Sequence, residues 1–316
     1  MPDWLAELAS RIGSVFANSA PTAHLGAFGK HPGWNDHLDD LGMDSEPLLA
    51  TKQYLYLEGI GGLIDAGQWE ALAPEDVLPD FRHVFVWLEG DNLLIGRMWS
   101  SSDGKGRAKY PMVACAHFRK PAAGQIPDVL PMLERLELSC RATTSAEDVR
   151  AVTNAAREEI KPLLAAPGLS RIDRQFYASR LNLNVDAQAT QRIVYAVESY
   201  LSPLASFSAP LNLKLSQSKG HPYHIRLPAL TSDPMSAFQF WKSFLAFTLP
   251  AGVPQLFICP LNADWVDVIV GVPTAKHLFC LKAGSRILPS VAEIPFEISS
   301  NFVKKSAFQW ASFLSE

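Results

Sequence analysis

Apolar positions along this chain switch between helical and strand spacing several times, and the switches divide it into recognisable elements. Over residues 3–17, Trp4, Leu5, Leu8, Ile12, Val15 and Phe16 recur at helical spacing, with Glu7, Ser10 and Arg11 between them. This predicts a short amphipathic helix, followed by a linker over 18–22. Its polar face is not basic, which favours docking on the parent fold over a membrane surface. Leu48, Leu49, Tyr54, Leu55, Leu57, Ile60 and Leu63 predict a second helix over 45–64, with Ser45 as N-cap, Pro47 in the first turn and Gly61-Gly62 weakening its end.

The period then drops to that of strands. Runs at 81–88, 93–99 and 111–118, the first two joined by Glu89-Gly-Asp-Asn92, predict an antiparallel meander. After a linker at 121–125, helical spacing returns over 126–138, 145–164, 172–182 and 187–200. The last third alternates again: strands are expected at 211–215, 224–227, 255–260, 265–270 and 277–281, with a hairpin turn at Leu261-Asn-Ala-Asp264. Between them Asp233 and Pro234 open a buried helix reaching about Phe247. His221-Pro-Tyr-His224 reads as a turn.

These elements predict a mixed α/β (α+β) fold: a largely antiparallel sheet, drawing strands from both ends of the chain and flanked by helices, with a helical middle segment. The divisions are an N-terminal helix and linker at 1–20, an α/β part at 21–120, a helical segment at 121–206, and an α/β part at 207–316 packing into the same unit.

Composition narrows the functions. At 316 residues, 48% hydrophobic and 19% charged, the chain has the make-up of a soluble globular protein. Its 28 basic and 32 acidic residues give a net charge of −4, which argues against nucleic acid as a partner. Cys115, Cys140, Cys259 and Cys280 share no C-x-x-C spacing and three sit in apolar runs, as reduced core cysteines do. No apolar run approaches the roughly 18 residues of a membrane span, and Asp3 and Glu7 stand where a secretory signal carries positive charge. A cytoplasmic location is expected.

Candidate chemistry concentrates in two loops. Gly26-Ala-Phe-Gly-Lys-His-Pro-Gly-Trp-Asn-Asp36 combines three glycines with Pro32, which fixes one φ and disfavours helix at His31, so a shaped turn is expected. It is not a nucleotide P-loop, because His24 and His31 occupy positions that signature gives to glycine and to Ser or Thr. Asp36, Asp39, Asp40 and Asp44, with His31 and His37, match no recognised metal-ligand spacing and read as a solvated acidic loop. The second loop, Ser100 to Pro111, carries three serines, two glycines and three cations. Asp103 and Arg107 can pair with each other, or with Lys30 and Asp36 across the two loops. Alternatively Ser101, Ser102, Lys105, Arg107 and Lys109 can form an anion nest for phosphate, or Lys30, Asp36, His37, Asp103 and Arg107 can serve a small ligand or an enzyme. Neither loop shows an activated nucleophile, a metal pattern or a cofactor fingerprint, so neither a cofactor nor an enzymatic activity is expected.

Gly26-x-Phe28-Gly29-Lys30-x-Pro32, followed by Asp36, resembles the N-terminal motif of the type VI secretion-associated TagF/ImpM family, where a Gly-Lys-x-Pro turn precedes Gly-Asp-Phe. Ser102-Asp103, Gly106-Arg107 and Tyr110-Pro111 resemble, in the same order, that family's Ser-x-Asp, Gly-Arg and aromatic-Pro sequence at a strand junction. The motifs are about seventy residues apart and correctly ordered, which is more specific than either alone. The chain departs from the pattern in having Asn35 and His37 around the acid, no proline before the serines, and a second loop one residue longer. The C-terminal part is loosely similar as well. The resemblance implies a cytoplasmic, non-catalytic regulator that represses secretion assembly through protein contacts with type VI components, which can include a forkhead-associated scaffold. It marks Lys30, Pro32, Asp36, Ser102, Asp103, Gly106 and Arg107 as the residues that bind a partner or shape the loops.

Overall fold

The computed structural model describes residues 20–121, 125–177, 179, 187–205, 222–229, 233–249 and 252–315. The expected helix at 3–17, the strand at 211–215 and residues 178 and 180–182 of the helix expected at 172–182 lie outside the described residues, and of that last helix 174–177 are helical.

Seven strands form one sheet: β1 (Thr22–Gly29), β2 (Arg82–Glu89), β3 (Asn92–Ser100), β4 (Pro111–Arg119), β5 (Tyr223–Pro228), β6 (Gln255–Pro260) and β7 (Trp265–Val270). Their order is β1-β4-β3-β2-β6-β7-β5, and every neighbouring pair is antiparallel. The β2–β6 pairing joins the strands of the first and last thirds of the chain into a single surface.

Helices cover both faces. On one lies α1, which starts as an α-helix over Glu46–Thr51, winds as a π-helix over Lys52–Gly61 and closes over Gly62–Asp65. Its Leu48, Leu55, Tyr56, Ile60 and Leu63 pack with Phe28, Phe85, Leu94, Met98 and Ile258 of the sheet. On the other lie α2 (Leu130–Arg141), α3 (Ala146–Glu159), α4 (Ala187–Ala205), α5 (Pro234–Leu245) and α6 (Ser300–Ser315), whose apolar faces pack with Leu25, Val86, Ile95, Ala116 and Phe257. Because both faces are covered, β3 is buried from Leu93 to Met98 without a break, instead of alternating. Each large apolar side chain so buried contributes about 1.5–3 kcal/mol.

Two expectations are corrected. Residues 277–281 are not a strand: Ala275–Leu278 make a helical turn and Phe279–Leu281 a 3₁₀ turn. His277 N and Leu278 N donate to Thr274 O, the Thr274 hydroxyl bonds the His277 ring, and Leu278, Cys280 and Leu281 are buried against α1 and the sheet. A short apolar run buried on all sides has no period with which to announce its type. The helix expected at 126–138 begins instead at Leu130, because Pro131 lacks an N–H and is tolerated only in a first turn.

Candidate functional site

The strand register brings the two loops together. Gly29 at the end of β1 pairs with Met112, and Ser100 at the end of β3 pairs with Pro111, so both loops leave the same end of the sheet on either side of β4. Gly29 has φ +114 and a Cβ there would meet Pro111 O at 2.3 Å, so only glycine serves at this junction. Lys30 N then donates to Pro111 O at 3.1 Å, while Leu38 N donates to Gly29 O at 2.9 Å and closes the first loop.

His31 and Pro32 clamp that loop to the helical layer. The buried His31 donates from Nε2 to Cys140 O at 2.8 Å and accepts from Gly33 N at Nδ1, so its two partners fix the tautomer. Gly104 of the second loop donates to Trp34 O at 2.6 Å, and a Cβ on it would lie 2.9 Å from Pro32 O. The two loops are therefore in backbone contact.

Their side chains form one ion-pair network across 73 residues of sequence. Lys30, 3% exposed, donates from Nζ to Asp36 Oδ1 at 2.5 Å and to Asp103 Oδ2 at 3.0 Å. Arg107 donates from Nε to Asp103 Oδ2 at 2.7 Å, and from its terminal nitrogen to Asn35 O at 2.9 Å and Asp36 Oδ1 at 3.3 Å. Asp103 Oδ1 accepts from Lys105 N and Arg107 N, each at 3.0 Å. Its buried carboxylate thus has four donors, which fills its accepting capacity. Gly106, at φ +78, closes the turn by donating to Asp103 O at 2.8 Å.

The electrostatics follow from these bonds. The Lys30 hydrogen bond holds the Asp36 carboxyl below the usual range, with the charges of Lys30 and Arg107 adding to it. Burial pushes Asp103 up, but the hydrogen bonds from Lys30, Arg107 and the loop backbone outweigh it and hold the group well below its ordinary value. His37 is pushed down by burial and by Lys30. Its ring lies edge-on to Tyr110 at 5.2 Å and to Tyr56 at 5.7 Å, which links the loops to α1.

Of the seven residues read from sequence, Lys30, Asp36, Asp103 and Arg107 converge, while Gly106 and Pro32 shape the backbone around them. Ser102 is half-buried beside Asp103, and among the described residues its side chain bonds to none of the network. The surrounding acids are spread over separate pairs: Asp39 with Arg150, Asp40 with Lys52, and Asp44 with Arg157 and His24. Two cations and two carboxylates make the loop network neutral, and Lys109 is paired with Glu70 at 3.1 Å.

A second network was not legible in the sequence. His224 lies in β5, not in a turn, and β5 pairs with β7 so that Arg226 stands opposite Asp267. Asp267, fully buried, accepts from Arg226 through both oxygens at 2.8 and 2.9 Å and from His224 Nε2 at 2.8 Å. Arg226 stacks 4.3 Å over Trp265 and donates to Leu288 O at 2.9 Å. Cys280 lies close enough to His224 and Asp267 to complete a three-ligand set for a metal. Here the guanidinium already supplies the positive charge to both Asp267 oxygens, and burial holds Cys280 well above its ordinary value, as a thiol. The arrangement is that of an ion-pair lock.

No family model matches the chain, and no curated protein matches it. Among solved structures, the crystal structure of PA0076 from Pseudomonas aeruginosa PAO1 is similar at 15% identity, with a TM-score of 0.43, covering 87% of this chain and 99% of that one. Among the described residues, no helix is long and apolar enough to cross a membrane.

Proposed function

We propose that this protein is a non-catalytic cytoplasmic regulator of type VI secretion, similar to the TagF family, which represses assembly by binding a protein component through the paired loops. The observation that carries this reading is the convergence of the two family-like motifs: Lys30 and Asp36 from one, Asp103 and Arg107 from the other, in one network. Its inner half, Lys30 and Asp103, is buried and fixes loop shape. Its outer half, with Asp36 70% and Arg107 53% exposed, faces outward and can exchange its bonds for those of a partner. Binding lowers the free concentration of the captured component.

The same network gives less support to an anion site or an enzyme at these loops. Both of its cations are neutralised by carboxylates, and Lys30 carries its charge to Asp36 and Asp103. A tagged wild-type protein recovered from its native cytoplasm is expected to bring down sheath, baseplate or forkhead-associated scaffold components. Asp36→Ala and Arg107→Ala proteins that remain folded should lose them. Recovery of no such component across several salt conditions would sink the proposal.

A further inference from the structure

A pocket of about 370 Å³ opens between α4, the end of α5 and α6, and it shares no lining residue with the paired loops. Val194, Val197, Phe244 and Phe313 form its buried floor, with the Phe244 and Phe313 rings edge-on at 5.2 Å. At its rim stand Phe247, 49% exposed, and Phe308, 74% exposed. With that exposure the Phe308 ring projects beside the hollow and does not fill it. A phenyl group held in water next to an apolar hollow leaves favourable burial unused.

The polar groups of the lining narrow what covers this face. Glu198 is its one carboxylate and Lys305 its one cation. Lys305 Nζ donates to Glu198 Oε2 at 2.8 Å, and Gln309 Nε2 donates to Glu198 Oε1. The lining is therefore neutral in a chain whose net charge is −4, so an identical lining meets no repulsion there, and a strongly charged partner finds no excess of the opposite sign. With the Gln309 amide turned to Glu198, its Oε1 is buried without a donor among the described residues. A donor on an arriving surface completes it.

We propose that this face binds a second copy of the chain about a two-fold axis, the Phe308 ring of each copy entering the pocket of the other, edge-on to its aromatic floor. A two-fold contact needs one patch to carry both halves of the fit, and here the projecting ring and the hollow lie side by side. The same operation sets each Lys305 beside the Glu198 of the other copy, so ion pairs are exchanged and none is lost. Because α4 packs at the β5 edge of the sheet and the paired loops flank β4 beside the β1 edge, the dimer presents two sets of loops clear of the contact. It does not rest on the regulator reading.

The test is sedimentation velocity of the full chain from about 1 to 100 μM, where a reversible dimer is expected. Phe308→Asp, which removes the ring, and Ser312→Trp, which fills the hollow, should each weaken it roughly tenfold or more in protein shown to be folded by circular dichroism. Each variant keeps what the other lacks, so mixing them restores one of the two insertions and should give more dimer than either alone. Wild type that stays monomeric to about 100 μM would overturn the proposal. So would a dimer unchanged in folded Phe308→Asp, or a mixture no better than its parts. A monomer that Phe308→Asp makes less stable to urea would assign the ring to its own chain. A monomer that loses a protein captured from the cytoplasm when Phe308 is changed would assign the pocket to a different partner. Either result overturns the dimer as well.

Discussion

The two ion-pair networks use the same chemistry in different surroundings. At the β5–β7 pair, Asp267 and Arg226 are both sealed, with side chains 0% and 1% exposed, and their geometry is bidentate. At the paired loops, the exposure is graded from buried Lys30 and Asp103 to open Arg107 and Asp36. A sealed pair does not interact directly with a partner and acts only on the fold. A graded one fixes loop shape with its inner groups and leaves its outer groups accessible. This difference favours the loops over the more tightly bound network as the proposed contact surface.

Breaking the sealed network should have the largest effect. Asp267→Asn keeps the side-chain shape but leaves Arg226 buried without its counter-charge, and a loss of about 3–5 kcal/mol is expected in urea unfolding. Lys30→Met should cost less, about 2–3 kcal/mol, because Asp103 keeps its donors from Lys105 N, Arg107 N and Arg107 Nε. Equal losses in the two variants would show that the loop network is as sealed as the other.

Acid sharpens the same contrast. Asp36 and Asp103 have depressed pKa values in the folded protein, so folding favours their charged forms. Their contribution is complete above the unfolded value of about 4 and fades as pH falls through it towards the lower folded values. Stability measured downward from about pH 5 should therefore fall, and less steeply in Asp103→Asn than in wild type. An unchanged slope would mean that Asp103 is not the charge that folding selects. The smallest stability effect belongs to Asp36→Ala, which removes an exposed partner and should leave unfolding close to wild type. If the proposed function holds, capture of the proposed partner should nevertheless be lost, and its retention would place the contact elsewhere.

Much of the architecture could be read from the pattern of residues. The strands at 255–260 and 265–270 are found at the expected bounds, because β-rich runs there are cut by proline and by the Leu261 to Asp264 turn. Asp233 caps α5 as its position before Pro234 implies, accepting from Met235 N and Ser236 N. The candidate loops were visible because glycine, proline and charged residues cluster there, and Asp103 pairs with Arg107 four residues on. Their junction to Lys30 and Asp36 depends on β1, β3 and β4 sharing a register, which no local pattern encodes.

What escaped was whatever depends on distant partners. Arg226 and Asp267 are 41 residues apart and become neighbours only when β5 pairs with β7. The π-helical turns of Lys52–Gly61 bury Leu55, Tyr56 and Ile60 against the sheet, and the spacing of these residues suits an α-helix equally well. The closing helix α6 buries Ser306, Trp310 and Phe313 at helical spacing, a signal present in the sequence but weakened by Phe308, which is 74% exposed on its other side.

The central claim is that the two motifs form one unit, and a double-mutant cycle on Lys30→Met and Asp103→Asn tests it most directly. With unfolding followed by urea, Lys30→Met should cost much less in the Asp103→Asn background than in wild type, since the bond it removes is already weakened. Losses that simply add would contradict the account and return the two loops to independent turns.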